Sequence, residues 1–235
     1  MKNEMVEHVF DIFRYSYTHS NFLESSWFRT SQPGEIKAVE IAAPRKNRDM
    51  SITTSPLFTP VTIATAPEAS KPLLENIQKS LGFIPNLMAT FANNPIVLQG
   101  YLALESVFER GSFTPRERQI ILLATSVEND CSYCTAAHST IAQSFLYTSS
   151  EVVAAVLNGQ PVPDAKLNAL VALVTEIVRE RGNVKDKTLQ KFIAAGYKKE
   201  QVMELLLGIA LKTISNYLDH ICPTTIDQAF VNGAR

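Results

Sequence analysis

The stretch FTPRERQIILLATSVENDCSYCTAAHS, residues 113–139, decides the fold. It opens with Thr114, Pro115 and Glu117, which together form a helix start signal. A threonine hydroxyl and a glutamate three residues later can each bond the other's backbone amide, and proline suits the first helical position. The apolar run that follows extends this helix to about Glu128, where a polar break separates it from a second helix. The stretch therefore predicts a pair of consecutive helices.

Helical patterns also fill the chain on both sides of this pair. Thr65, followed by Ala-Pro-Glu, predicts a helix start, and Gly82 predicts where that helix ends. Apolar residues recur at spacings of three and four in residues 165–182 and 198–221. The alternating valine, isoleucine and threonine patterns of strands are missing from these regions. We therefore predict an all-α fold.

The composition restricts the class of protein. The net charge is −1, and no cluster of basic residues predicts binding to nucleic acid. The longest apolar runs, such as residues 203–211, are much shorter than the roughly 20 residues of a membrane-spanning helix. The first residues also lack the apolar region of a secretory signal. Three cysteines are too few for a disulfide scaffold. We therefore expect a cytoplasmic protein with no membrane segment.

Residues 1–49 differ from the rest of the chain. They are rich in aromatic, serine and threonine residues and show no sustained helical or strand period. Met50 lies where the regular pattern begins, so residues 1–49 are interpreted as an N-terminal extension, either disordered or non-native, with natural translation starting at Met50. The alternative is an arm that packs on a partner subunit through its aromatic residues. Residues 50–235 are predicted to form a single domain.

The residues that could carry out a reaction lie at the start of the second helix. Asn129 or Asp130 is predicted to be its N-cap, which places Cys131 in the first turn. Cys131, Cys134 and His138 then share one helix face because they are spaced by three and four. A helix N-terminus favours a thiolate, and the imidazole can accept the thiol proton directly or through one water. This pattern predicts a dithiol that reacts with an oxidant or a disulfide.

Three other interpretations of this pattern compete with the first. The same three side chains could bind zinc with Cys222 or His220 as a fourth ligand, although structural zinc sites more often take paired ligands from two separate knuckles. Haem attachment needs a histidine directly after the second cysteine, where this chain has Thr135. Buried cysteines can also simply fill a core, but two cysteines and a histidine at matched spacing favour chemistry. Tyr133 lies off this face and is expected to pack.

Residues 113–139 resemble the signature helix pair of the carboxymuconolactone decarboxylase-like, or AhpD-like alkylhydroperoxidase, superfamily. The resemblance covers most of residues 67–225. It includes LGFIPNLM at 81–88 and the Asn-Tyr-x-x-His pattern within KTISNYLDHI at 212–221. It implies an AhpD-like helical bundle that assembles into trimers or hexamers, with the active site near a subunit contact.

The resemblance also implies individual roles. Cys134 matches the cysteine that becomes a sulfenic acid, Cys131 its disulfide partner, and His138 the histidine of a proton relay. The family has a glutamate twelve residues before the first cysteine, whereas this chain has Gln119. We expect either Gln119 to orient the imidazole or Glu128 to replace the missing carboxylate. A solvent-facing Glu128 at a helix end is the alternative.

The function implied is that of a thiol-dependent hydroperoxide reductase in antioxidant defence, because family members with the Cys-x-x-Cys pair are thiol peroxidases or disulfide reductases. Its substrates would be a hydroperoxide and an external dithiol reductant, and no organic cofactor or metal would be required. One alternative is a protein-disulfide reductase or dithiol relay. Others are a zinc-stabilised structural or binding protein, and a helical oligomer that binds a small apolar ligand and has lost catalysis.

Overall fold

The computed structural model describes residues 57–233, which form an assembly of nine α-helices and two short 3₁₀ helices. The α-helices are α1 (Lys71–Leu81), α2 (Asn86–Phe91), α3 (Pro95–Glu109), α4 (Pro115–Glu128), α5 (Ser132–Ser144), α6 (Ser150–Leu157), α7 (Ala165–Arg179), α8 (Asp186–Ala194) and α9 (Gln201–Ile221). The 3₁₀ helices are Glu68–Ser70 and Gln228–Gly233. No strand occurs in this part of the chain, which confirms the all-α prediction. None of its helices is both long enough and apolar enough to cross a bilayer.

The predicted N-terminal extension, residues 1–49, lies outside the described residues, as does Met50. The boundary between an extension and a domain at residue 50 therefore stays a prediction.

The start of α4 is the capping box that the sequence predicts. Thr114 Oγ1 accepts a hydrogen bond from the Glu117 backbone N–H at 3.2 Å, and the Glu117 carboxylate accepts one from the Thr114 N–H at 2.9 Å. The other carboxylate oxygen of Glu117 lies 3.1 Å from the Lys166 ammonium in the first turn of α7. One glutamate therefore both caps α4 and connects it to α7.

The predicted helix start at Thr65 is wrong. Thr65 instead forms a turn with Thr62, with their hydroxyl oxygens 3.1 Å apart. Pro67 has a ψ of 142°, which is incompatible with a helix, and a 3₁₀ turn follows before α1 begins at Lys71. The extended Pro67 therefore delays the helix, and the Thr-x-x-Glu pattern does not act as a capping box here.

Helix α4 lies at the centre of the bundle. Its residues 120–126 are all buried, so the helix is surrounded on every side. It packs against α5, α6, α7 and α9. Helix α9 also packs against α3 and α5. The cysteine-bearing helix α5 is therefore enclosed by the central helix on one side and by the last α-helix on another.

Helices α3 and α9 approach closely at a glycine. A Cβ atom on Gly208 would lie 2.7 Å from ring carbons of Phe108 and 3.2 Å from a methyl group of Ile121. Only a residue without a side chain allows this approach, which tightens the contact between the two helices. Residues of α9 one turn beyond Gly208 are consequently brought towards α3 and the interior.

The segment after α9 returns across the outer face of α5. Its Asp227 carboxylate accepts hydrogen bonds from the Tyr133 hydroxyl at 2.6 Å and from the Asn86 backbone N–H at 3.1 Å. Phe230 packs edge-on against the Tyr133 ring. Tyr133 thus packs as predicted, and it also anchors the C-terminal segment to the cysteine helix.

We expect Gly208→Ala to destabilise the fold by about 1–3 kcal/mol, because the added methyl group overlaps the buried Phe108 ring. Gly100→Ala is the matched control, since Gly100 lies on the exposed side of α3 and its added methyl group would have no atom within 4 Å. It should raise the free energy of unfolding by roughly 0.5–1 kcal/mol. Urea unfolding measures both effects. Equal effects of the two substitutions would contradict the close approach.

Candidate active site

The N-cap of α5 is Cys131 itself. Its sulfur accepts a hydrogen bond from the Cys134 backbone N–H at 3.3 Å. The predicted caps are therefore wrong: Asn129 ends α4 and donates its side-chain amide to Asn216 at 3.0 Å, and Asp130 takes a left-handed φ of 54° to connect the helices. Cys131 therefore lies at the N-cap position of α5 and not within the first turn of the helix.

Both cysteines of the pair are buried free thiols, each 1% exposed. A polar stripe on α9, defined as Lys212, Ser215, Asn216 and Asp219, reaches the same interior. All four are buried, and their spacings of three and four place them on one face. Sequence analysis did not identify this stripe, although the run of polar residues at helical spacing within an apolar helix was a usable signal.

Each sulfur has its own partner on the polar stripe. Cys134 Sγ is hydrogen-bonded to Ser215 Oγ at 3.8 Å, and Cys131 Sγ donates to an Asp219 carboxylate oxygen at 3.3 Å. The other Asp219 oxygen accepts a hydrogen bond from the Thr224 backbone N–H at 2.9 Å, which fixes the carboxylate. The two thiols therefore lie in different environments despite their separation of three residues.

The environment of Cys134 favours the thiolate. A hydrogen bond from Cys131 lowers the pKa of Cys134 most, and the Lys212 charge and hydrogen bonds from Ser215 and Asn216 lower it further. Burial raises the pKa but is outweighed. Cys134 is consequently the more readily ionised of the two thiols.

The environment of Cys131 favours the protonated thiol. Its hydrogen bond with Cys134, its burial and the negative charges of Cys134 and Asp219 all raise the pKa of the Cys131 thiol. The Cys131 thiol therefore stays protonated and can direct its single S–H as a hydrogen bond to either Asp219 or Cys134. The preference for a thiolate expected at this helix start is found for Cys134 alone.

His138 is paired with Gln119, which is one of the two arrangements expected from the family resemblance. The imidazole Nδ1 lies 2.8 Å from the side-chain oxygen of Gln119. Because an amide oxygen can only accept, Nδ1 carries the proton and Nε2 has a free lone pair. Desolvation and the Lys212 charge hold the pKa of His138 well below its usual range, so the ring is neutral at neutral pH.

Glu128 is directed away from this group. Its carboxylate forms two hydrogen bonds with the Arg179 guanidinium of α7, at 2.5 and 2.9 Å. Its side chain is only 10% exposed, so it is not the solvent-facing carboxylate considered as the alternative. In the described part of the chain it forms no hydrogen bond to His138 or to either cysteine. The structure thus joins Cys131 to Cys134 and Gln119 to His138 by hydrogen bonds, and it gives Glu128 another partner.

The ligand set of the zinc alternative is not assembled in residues 57–233. His220 is exposed and stacks on Tyr217, with ring centroids 6.3 Å apart. Cys222 is buried beyond the end of α9. In this part of the chain, no group of three or more His, Cys, Asp or Glu side chains is placed to hold a metal ion.

Helix α3 adds two further titratable groups. Burial raises the pKa of Tyr101 to about 12 and that of Glu105 to about 7, and the Lys212 charge opposes both shifts. The Tyr101 hydroxyl is also hydrogen-bonded to Ser215, the partner of Cys134. The polar interior therefore extends from the cysteines across α9 to α3, which sequence analysis did not anticipate.

Comparisons with known proteins agree with this fold. Residues 98–176 match the model of the carboxymuconolactone decarboxylase family. A protein of the alkylhydroperoxidase AhpD core from Ralstonia eutropha JMP134, described as peroxidase-related, superposes with a TM-score of 0.67 at 21% identity, over 76% of this chain and 96% of its own. A peroxidase-related protein from Silicibacter sp. TM1040 gives 0.65 at 16% identity, over 79% and 100%.

A third similar structure is that of the debrominase Bmp8, with a TM-score of 0.64 at 20% identity, over 77% of this chain and 98% of its own. Comparison with curated protein sequences gave no significant match. The fold is that of the AhpD-like helical proteins. The match to the family model over residues 98–176 and the shared fold agree with the resemblance seen in the sequence. The matched family and the similar structures are named for different activities, namely a decarboxylase, peroxidase-related proteins and a debrominase.

We expect Lys212→Met to raise the pKa of the Cys134 thiol by roughly one unit or more, because a buried opposite charge is lost. The rate of iodoacetamide alkylation at Cys134, followed against pH by peptide mass spectrometry, measures this shift. Lys199→Met is the control, since Lys199 is exposed on the surface. An unchanged profile for Lys212→Met would show that the ammonium does not act on the thiolate.

Proposed function

We propose that this protein is a thiol-dependent hydroperoxide reductase with a redox-active Cys131–Cys134 pair. The observation that supports this most directly is the contrast between the two buried thiols. Cys134 is stabilised as a thiolate by the polar stripe, while Cys131 is hydrogen-bonded to Asp219 and keeps its proton. A peroxidatic thiolate beside a protonated resolving thiol is the arrangement that this reaction needs.

The proposed reaction has three steps. The Cys134 thiolate attacks the O–O bond of the hydroperoxide, forming a sulfenic acid and releasing an alkoxide that takes up a proton. The Cys131 thiol then condenses with the sulfenic acid, giving the Cys131–Cys134 disulfide and water. An external dithiol reduces the disulfide by exchange and is itself oxidised.

The remaining predicted residues have supporting roles in this proposal. Neutral His138 can accept a proton, or a hydrogen bond from water, through the lone pair of its Nε2. Gln119 fixes the ring in the tautomer that has this lone pair. A relay role for Glu128 stays a prediction, and its carboxylate would have to leave Arg179 to fulfil it. No organic cofactor or metal is required by these steps. We propose a cytoplasmic location because three cysteines are too few for a disulfide scaffold.

A protein-disulfide reductase is the second candidate. The observation favouring it is Gln119, because an amide next to His138 cannot supply a proton to a leaving alkoxide as a carboxylate can. Thiol–disulfide exchange needs less proton transfer, since the leaving group is a thiolate. The two functions differ in which oxidant reacts fastest with Cys134. A bromopyrrole is a useful third oxidant, because a debrominase shares the fold.

We also propose that the protein is a homo-oligomer, a trimer or hexamer. Large apolar side chains are exposed along α9 at helical spacing: Met203, Leu206, Ile214, Tyr217 and Ile221. The neighbouring helix α3 exposes Ile96, Val97 and Val107. Several exposed large apolar residues on each of two packed helices are typical of a subunit contact. A second copy of the chain is the proposed partner.

The peroxidase proposal predicts a defined thiol balance. One equivalent of hydroperoxide should remove two of the three thiols and produce a Cys131–Cys134 disulfide on peptide mapping. Cys134→Ser should abolish the reaction, whereas Cys131→Ser should accumulate a Cys134 sulfenic acid that a dimedone-type reagent traps. Cys222→Ser is the control and should behave as the native protein. Rapid oxidation by a disulfide with no reaction towards hydroperoxide would replace the peroxidase proposal by the reductase alternative.

The oligomer proposal predicts that Ile214→Lys lowers the mass measured by light scattering, because a charge would be buried at the contact. Ile193→Lys is the matched control, since Ile193 is similarly exposed on α8, away from the surface formed by α3 and α9. The same mass for both variants, equal to that of the native protein, would exclude this surface as the contact.

A further inference from the structure

Glu105 is the charged member of an otherwise inward-facing stripe. Leu98, Tyr101 and Phe108 on the same face of α3 are buried, and Glu105 among them is partly buried. Its spacing of four from Tyr101 and three from Phe108 places it on their side of the helix. A carboxyl group in this position must find a partner within the bundle.

The contacts between α3 and α9 identify that partner. Phe108 packs on Gly208, and the Tyr101 hydroxyl bonds Ser215. From Phe108 to Tyr101 the chain goes back seven residues on α3, and from Gly208 to Ser215 it goes forward seven on α9. The two helices are therefore antiparallel. This register places Lys212 opposite the turn of α3 that contains Glu105. Lys212 is 2% exposed, and its charge acts on both Glu105 and Cys134.

One buried cation therefore faces two acids. Net charge in a protein interior is costly, so a single Lys212 ammonium favours one negative charge beside it rather than two or none. His138 is not a suitable store for the second proton, because Lys212 disfavours a positive imidazole. The Glu105 carboxyl remains as the group that can hold a proton when Cys134 has none.

We propose that Glu105 is the proton-exchanging group of this site, protonated while Cys134 is a thiolate and ionised once Cys134 has been oxidised. Glu105 acts through Lys212 and takes the place of the carboxylate that the chain lacks at Gln119. This assignment rests on the proposed thiol chemistry of Cys134, but it does not depend on which oxidant the protein uses. The charge of the site stays constant throughout.

The proton balance closes in each step. The Cys134 thiolate attacks the hydroperoxide, the leaving alkoxide takes a proton from the Lys212 ammonium, and Lys212 takes one from the Glu105 carboxyl. The products are a sulfenic acid, an alcohol and a Glu105 carboxylate paired with Lys212. Condensation with Cys131 releases water. When an external dithiol reduces the disulfide, the proton freed as Cys134 returns to a thiolate goes back to Glu105.

Other charged groups lie near Glu105 and Cys134. The Lys212 charge on α9 acts on Glu105, and Glu105 in turn raises the pKa of Tyr101 and of its neighbour Glu109. Arg118 on α4 opposes the shift of Glu109 and also interacts with Glu204. Cys134 is faced by Cys131, Lys212, Ser215 and Asn216. The pKa of about 7 for Glu105, raised by burial and opposed by Lys212, suits a group that exchanges protons near neutral pH.

The test is a proton count on oxidation. Diamide converts a dithiol to a disulfide and takes up two protons, so it reports on the site without requiring peroxidase activity. In the native protein, Cys131 and Glu105 supply both protons, and a pH indicator in weak buffer near neutral pH should record almost no uptake from solvent. In Glu105→Gln only Cys131 can donate, and uptake should rise by up to about one proton per disulfide formed.

Glu75→Gln is the control, because it makes the same change at an exposed position on α1 and should leave the native proton count unchanged. Equal proton uptake by the native protein and Glu105→Gln would overturn the proposal. Peptide mapping of the disulfide and circular dichroism verify that each variant is folded and oxidised.

A second measurement needs no substitution. The oxidised-minus-reduced infrared difference spectrum of the native protein should lose the carbonyl band of a protonated carboxylic acid, and its absence from the spectrum would contradict the proposal. Failure of the peroxidase function would appear differently, as normal proton counts with diamide and no reaction with hydroperoxide.

Discussion

The burial of the Lys212 ammonium is the constraint on which the candidate site depends. A cation that is 2% exposed requires negative or polar partners, because the interior solvates it poorly. In this protein it favours ionised Cys134 and disfavours a charged His138. It also opposes the effect of burial on Tyr101 and Glu105. One side chain on the last α-helix thus affects the protonation of groups on α3 and α5, and the close contact at Gly208 helps to hold it there.

Local signals explain which parts of the fold could be predicted. The capping box of Thr114 and Glu117 involves residues three apart, so its chemistry is complete within the sequence. The same pattern at Thr65 fails because Pro67 adopts an extended conformation and Thr62 provides a competing partner. The Cys131 cap was missed because asparagine and aspartate are the usual N-cap residues, whereas here a sulfur accepts the amide hydrogen bond.

The candidate site shows the opposite limitation, since its decisive contacts are distant in the sequence. The contact between Gln119 and His138 was expected only from the family resemblance, which places a relay residue at position 119. The pairing of Glu128 with Arg179 crosses from α4 to α7, and nothing in the sequence specifies which carboxylate an arginine will meet. Lys212 was missed for a similar reason. A lysine on a long amphipathic helix is normally solvated, and only the packing of α9 against α3, α4 and α5 makes it an interior charge.

The capping role of Cys131 connects the redox state of the protein to the order of a helix end. The Cys131 sulfur accepts a hydrogen bond from the Cys134 N–H and donates one to Asp219. The second bond needs the S–H hydrogen, and the first is weaker when the sulfur is part of a disulfide. Interactions made only by the reduced form stabilise it relative to the disulfide, and this raises the reduction potential of the couple. In the proposed redox reaction, the start of α5 would therefore also affect how readily an external dithiol reduces the Cys131–Cys134 disulfide.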